Sequence, residues 1–104
     1  MSMTIVATRN VSPRIRGFLA STMLELVPGV YSAPVLSPAV RERIWAVLVS
    51  WWPHEKEASL VMVWYEADLP GKQAVRVLGA LPVDLVLVDG VVLARREPRE
   101  EAGP

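Results

Sequence analysis

The sequence predicts an α+β domain in which two amphipathic helices pack on a largely antiparallel sheet. Three observations carry this: helix starts at Ser12-Pro13 and Ser37-Pro38, short apolar runs between and after the two helices, and an Asp89-Gly90 hairpin signal near the end. The chain has 104 residues, 52% of them apolar, which suits one domain with a real core.

Met3 to Ala7 (M-T-I-V-A) is an apolar run of strand length, buried if it pairs on both sides. It feeds T-R-N-V-S-P-R-I-R-G at Thr8 to Gly17, where Ser12 is the natural N-cap and Pro13 suits the first helical position because its missing N–H would be unpaired there anyway. Ile15, Phe18, Leu19, Thr22, Met23 and Leu26 recur at helical spacing, so the first helix is expected to run until Pro28-Gly29 stops it. Val30 to Ala33 opens a strand that Pro34 interrupts, which fits an edge or a bend better than a central strand. Ser37-Pro38 starts the second helix, with Val40, Ile44, Val47, Leu48 and Trp51 as its apolar stripe and an end at Trp52 before Pro53. Its Arg41 and Arg43 are expected to extend a basic surface.

His54 to Ala58 is a charged turn, and Ser59 to Glu66 reads as a central strand, apolar on both faces. A turn at Asp68 to Gly71 leads to its antiparallel partner at Lys72 to Gly79. After Pro82, two β-branched runs flank Asp89-Gly90 as a ribbon too apolar to stand alone in water, so it packs on this sheet or on that of a second copy. Glu97 to Pro104 is a solvated tail. The order of these elements matches a ferredoxin-like sandwich: residues 1–80 as the core, 81–96 as a C-terminal ribbon and 97–104 as a flexible tail.

Zero formal net charge excludes coating of nucleic acid or membrane by bulk charge, so any polyanion site is a local patch. Such a patch exists at Arg9, Arg14 and Arg16, whereas Glu55, Glu57, Glu66 and Asp68 make residues 51–70 acidic. The positive end of a helix dipole favours acids, yet the first helix opens with two arginines and has no acid before Glu25. Free N–H groups, the dipole and guanidinium forks together form a phosphate-binding arrangement.

Other chemistries find little support. Without cysteine there is neither a disulfide framework nor a thiolate site, and with His54 alone there is no histidine-based triad. Trp45, Trp51, Trp52 and Trp64 lie in or beside apolar runs and read as packing residues before base-stacking platforms. Asp84 and Asp89 read as ordinary turn and strand-end residues rather than metal ligands. No apolar run approaches the ~18 residues of a membrane span, nor does the N-terminus have the build of a signal peptide, so a cytoplasmic location is expected.

Beyond these patterns, the chain resembles the CRISPR-associated Cas-two proteins in their type I-E branch. The resemblance rests on T-x-N-V-x-P-R-x-R-G at Thr8 to Gly17, G-V-Y at Gly29 to Tyr31, R-E-R-I-W at Arg41 to Trp45, V-M-V-W at Val61 to Trp64, and P-V-D-L with a later D-G at Pro82 to Gly90. It implies a ferredoxin-like homodimer whose C-terminal strand adds to the partner's sheet. That dimer bridges pairs of the integrase Cas-one, captures a short DNA duplex and takes part in spacer acquisition for antiviral defence. DNA-backbone contacts carry over onto Asn10, Arg14 and Arg16, with Arg9 beside them. The ribbon from Val91 onward, with Val92, Leu93, Arg95 and Arg96, corresponds to the part that contacts Cas-one.

Two departures matter. Relatives often hold an acid where this chain has Arg9, and metal-dependent nuclease activity in some members is attributed to acids at that strand end; arginine cannot ligate Mg²⁺. Relatives also carry an arginine pair before the P-V-D segment, where this chain has Gly79, Ala80 and Leu81, leaving Arg76 as the nearest candidate. The expectation is therefore an adaptor without a cofactor. The alternative is a metal-dependent endonuclease, for which Mg²⁺ would be needed, and a third reading is a small-molecule regulatory module with a pocket and no DNA affinity.

Overall fold

A computed structural model describes residues 2–80, 84–88 and 91–95. Its elements are β1 (Ser2–Arg9), α1 (Pro13–Thr22), β2 (Leu24–Val27), β3 (Val30–Leu36), α2 (Pro38–Trp51), a 3₁₀ turn (Trp52–His54), β4 (Ser59–Tyr65), β5 (Gln73–Gly79), β6 (Asp84–Val88) and β7 (Val91–Arg95). The five-stranded sheet has the order β2-β3-β1-β4-β5, and all its neighbours are antiparallel. This is the ferredoxin-like arrangement, with β5 added at one edge. No helix among the described residues is long and apolar enough to cross a membrane.

Both helices cover one face of the sheet. Ile15 and Leu19 of α1 and Ile44 and Leu48 of α2 join Val6, Tyr31, Leu60, Met62 and Trp64 in a single buried cluster. Strand alternation sends Met3, Ile5, Ala7, Val61, Val63 and Tyr65 to the other face, which carries no described helix. Met3 and Tyr65 there are largely exposed.

The first helix is shorter than its apolar spacing predicts. Ser21 and Thr22 turn their hydroxyls back to donate to the Phe18 carbonyl at 2.7 and 3.2 Å, and the helix closes at Met23. Leu24 to Val27 then alternates as β2, and Pro28-Gly29, expected as a helix stop, is instead the tip of the β2–β3 hairpin, with Val27 opposite Val30. Gly29 holds φ +87°, and a Cβ there would lie 3.1 Å from Thr8 Oγ1, so the turn needs glycine. Leu26 is consequently an exposed strand residue, not part of a helical stripe.

Strand β3 also runs on through Pro34. It can do so because β2 ends opposite Ser32 and the β1 register shifts between Ser2 and Thr4, so the missing N–H falls at an irregular stretch of edge. In α2, Ile44 and Leu48 of the expected stripe are buried, but Arg41 joins them in place of Val40, which is 38% exposed. Arg41 therefore does not extend a basic surface as expected. Its guanidinium lies 4.1 Å from the centroid of the Trp64 ring and is buried, with Nε 4.0 Å from the Glu42 carboxylate and without a hydrogen-bond partner.

At the C-terminal end, β6 and β7 pair antiparallel with Val88 opposite Val91, the two-residue-loop register that the hairpin signal predicts, and β7 lies against β5. The turn residues Asp89 and Gly90, Arg96 and the 97–104 tail lie outside the described residues.

Candidate nucleic-acid interface

Strand β1 delivers Arg9 at its last position, and the chain must then reverse into α1 within three residues. Asn10 makes the bend at φ 58°, a left-handed conformation that asparagine tolerates better than most residues. Its amide donates to the carbonyls of Lys56 at 3.4 Å and Glu57 at 3.1 Å, tying the loop after α2 to the end of β1. Glu57 is itself left-handed, at φ 51°. Ser12 caps α1, its hydroxyl accepting from the Ile15 N–H at 3.5 Å.

The same loop brings a carboxylate to the helix start. The Ser12 N–H donates to Glu55 Oε1 at 2.7 Å and the Ser12 hydroxyl to Glu55 Oε2 at 2.6 Å. The first turn of α1 contains no acid, as the sequence reading found, but Glu55 supplies the negative charge from a distant segment. The N–H groups of Ser12 and Ile15 are thus already partnered. Anion chemistry at this junction rests mainly on the arginine side chains.

Arg9, Arg14 and Arg16 are all exposed and surround that helix start. Arg16 lines a shallow cleft with Thr8, Asn10, Val11, Pro28 and Gly29, and Arg9 lines a second with Trp52, Glu55, Glu57 and Ser59. Arg14 lies over the ring of Trp51, its guanidinium carbon 3.9 Å from the ring centroid. Among the described residues it makes neither a hydrogen bond nor an ion pair. The buried Tyr31 hydroxyl has no hydrogen-bond partner. Burial raises its pKa above 10.0, with Glu25 adding to the rise and Arg16 opposing it.

Arg76 stands apart from this group. It lies opposite Met62 on β5, and Met62 lies opposite Val6, so Arg76 is two strands across from β1 and three residues short of the Arg9 end. Its guanidinium grips Glu42 with both nitrogens at 2.8 Å and lies over Trp45 and Trp64 at 5.6 and 5.0 Å. Those donors are spent within the fold. That pairing, which the sequence reading missed, links α2 to β5 across residues 34 apart. On β7, Val91 and Leu93 are exposed at alternate positions, Val92 and Arg95 belong to the same strand, and Arg96 lies outside the described residues.

The strand end does not fit a divalent cation. Arg9 occupies it, both oxygens of the nearby Glu55 carboxylate accept from Ser12, and no group of three His, Asp or Glu side chains converges among the described residues.

A protein-family model described as a CRISPR-associated protein, Cas_Cas2CT1978, matches residues 3–93. That match spans the sandwich, the arginine junction and most of the C-terminal ribbon, so the chain belongs to this Cas-two-like family of CRISPR-associated proteins.

Proposed function

We propose that the chain works in spacer acquisition as a type I-E Cas-two protein: a homodimeric adaptor that grips a DNA duplex by its phosphates and bridges Cas-one integrase subunits. The observation that carries this reading is the cluster of Arg9, Arg14 and Arg16 round the start of α1, exposed while Glu55 is held by Ser12. Arginine forks bind phosphate oxygens without reading base edges, so the grip is blind to sequence. Asn10 belongs to the same rim, and its bonds to the loop carbonyls set where Arg9 and the helix stand.

Dimerisation is supported by the helix-free sheet face, along which Ile5, Val63 and Val75 stand in register, continued past Ser32 of β3 by Leu24 on the edge strand. A two-fold axis there gives two arginine junctions per dimer. Val91, Val92, Leu93, Arg95 and Arg96 are assigned to contact Cas-one. Arg76 joins the DNA surface only by releasing Glu42, which makes it a lesser contributor.

Co-purification with Cas-one in the presence of a labelled duplex tests the adaptor role. A complex of all three components is expected, and a monomer that retains neither partner would overturn it. Mg²⁺-dependent cleavage abolished by a carboxylate substitution would instead favour the endonuclease reading.

A further inference from the structure

We infer that Trp51 is a positioning residue for DNA binding: its ring holds the Arg14 guanidinium in a fixed plane, with the in-plane donors turned outward to a phosphate. This rests on the reading of Arg14 as a phosphate contact.

The arrangement is built from both helices. Arg14 and Phe18 are four residues apart on α1 and so share one stripe of its surface. Trp51 closes α2 and reaches that stripe from the neighbouring helix. Phe18 meets the Trp51 ring edge-on, with centroids 5.3 Å apart and planes at 67°, which fixes the ring. Arg14 then lies over the Trp51 face at 3.9 Å.

Stacking matters because of what it leaves unused. A guanidinium attracted through its flat face keeps its N–H groups, which all lie in its plane, available to oxygen acceptors. Arg76 is the internal contrast: it too lies over tryptophan rings, but Glu42 takes its in-plane donors. Arg14 has no such acceptor among the described residues, so it is ordered by the ring and open at its rim. An arginine on a bare helix surface loses that freedom only on binding, at a cost in affinity.

The test compares duplex affinity and its salt dependence in Trp51→Leu, Trp51→Tyr, Arg14→Ala and the Trp51→Leu/Arg14→Ala pair, with thermal unfolding of each protein. Trp51→Leu is expected to weaken binding about three- to tenfold, the effect of ordering one long side chain anew, with the slope of log affinity against log salt unchanged because the charge remains. Trp51→Tyr should restore most of the affinity, and Trp51→Leu should add nothing once Arg14 is Ala. Arg14→Ala itself should flatten the slope by about 1.

Wild-type affinity in a folded Trp51→Leu protein, beside a weakened Arg14→Ala, would overturn the platform and leave the phosphate contact standing. An unaffected Arg14→Ala would overturn the contact itself. Should Trp51→Leu fail to fold, proton NMR of the unmodified protein decides: side-chain resonances of Arg14 shifted upfield by the ring support the platform, and random-coil positions refute it.

Discussion

Glu55 and Ser12 join two distant segments through two short, charge-assisted bonds at a helix start. Replacing Glu55 with Ala leaves that N–H and hydroxyl without their acceptor, and denaturant unfolding is expected to register a loss of about 1–3 kcal/mol. Glu42 sets an acid limit. Hydrogen bonds from Arg76 hold its carboxyl below the usual 4.5, with the charges of Arg76 and Arg41 assisting and partial desolvation opposing. A depressed folded-state pKa gives stability that is full above about 4.5 and lost as pH falls through the folded value. Glu42 is half exposed, so the effect is small, and Glu42→Gln should flatten the acid limb of a stability-against-pH curve. Tyr31 acts at the other extreme. Its raised pKa keeps it neutral when the unfolded chain ionises, so stability should decline as pH rises above 10.0, and Tyr31→Phe should remove that decline.

At the scale of elements, the Ser-Pro signals located both helix starts, since capping is local chemistry that a few neighbouring residues decide. Strands β4 and β5 were legible for the same reason: their apolar runs are bounded by turn residues. Strand β2 was not. Its Leu26 fits both the helical spacing of α1 and the alternation of a strand, and only pairing with β3 decides between them. Arg41 was misplaced because a long cationic side chain can be buried when an aromatic face receives it, a partnership that depends on β4. The candidate site divides in the same way. Arg9, Arg14 and Arg16 were readable as a local cluster, but the acid that answers the helix dipole lies 43 residues beyond Ser12 and enters only through the fold. Gly79 tests the strand ends: with φ +81° and a would-be Cβ 2.1 Å from the Ala58 carbonyl oxygen, Gly79→Ala should displace the end of β5 and lower stability by more than about 1 kcal/mol in denaturant unfolding.

Across the whole molecule, one sheet face carries both helices and the other carries an apolar register line, so the proposed dimer and the proposed DNA surface use different parts of the fold. Val63 lies in the middle of that line. Val63→Asp should therefore shift sedimentation from dimer to monomer while the arginine junction of each subunit stays intact. A sequence-blind grip on phosphates by that junction is tested most directly by duplex affinity against salt for two unrelated sequences, with the unmodified protein and with Arg14→Ala/Arg16→Ala. Equal affinities and equal steep slopes are expected for the two sequences, and in the double variant a loss of affinity with the slope flattened by about 1 for each phosphate contact removed. Affinity and slope that stay the same after both arginines are removed would contradict it.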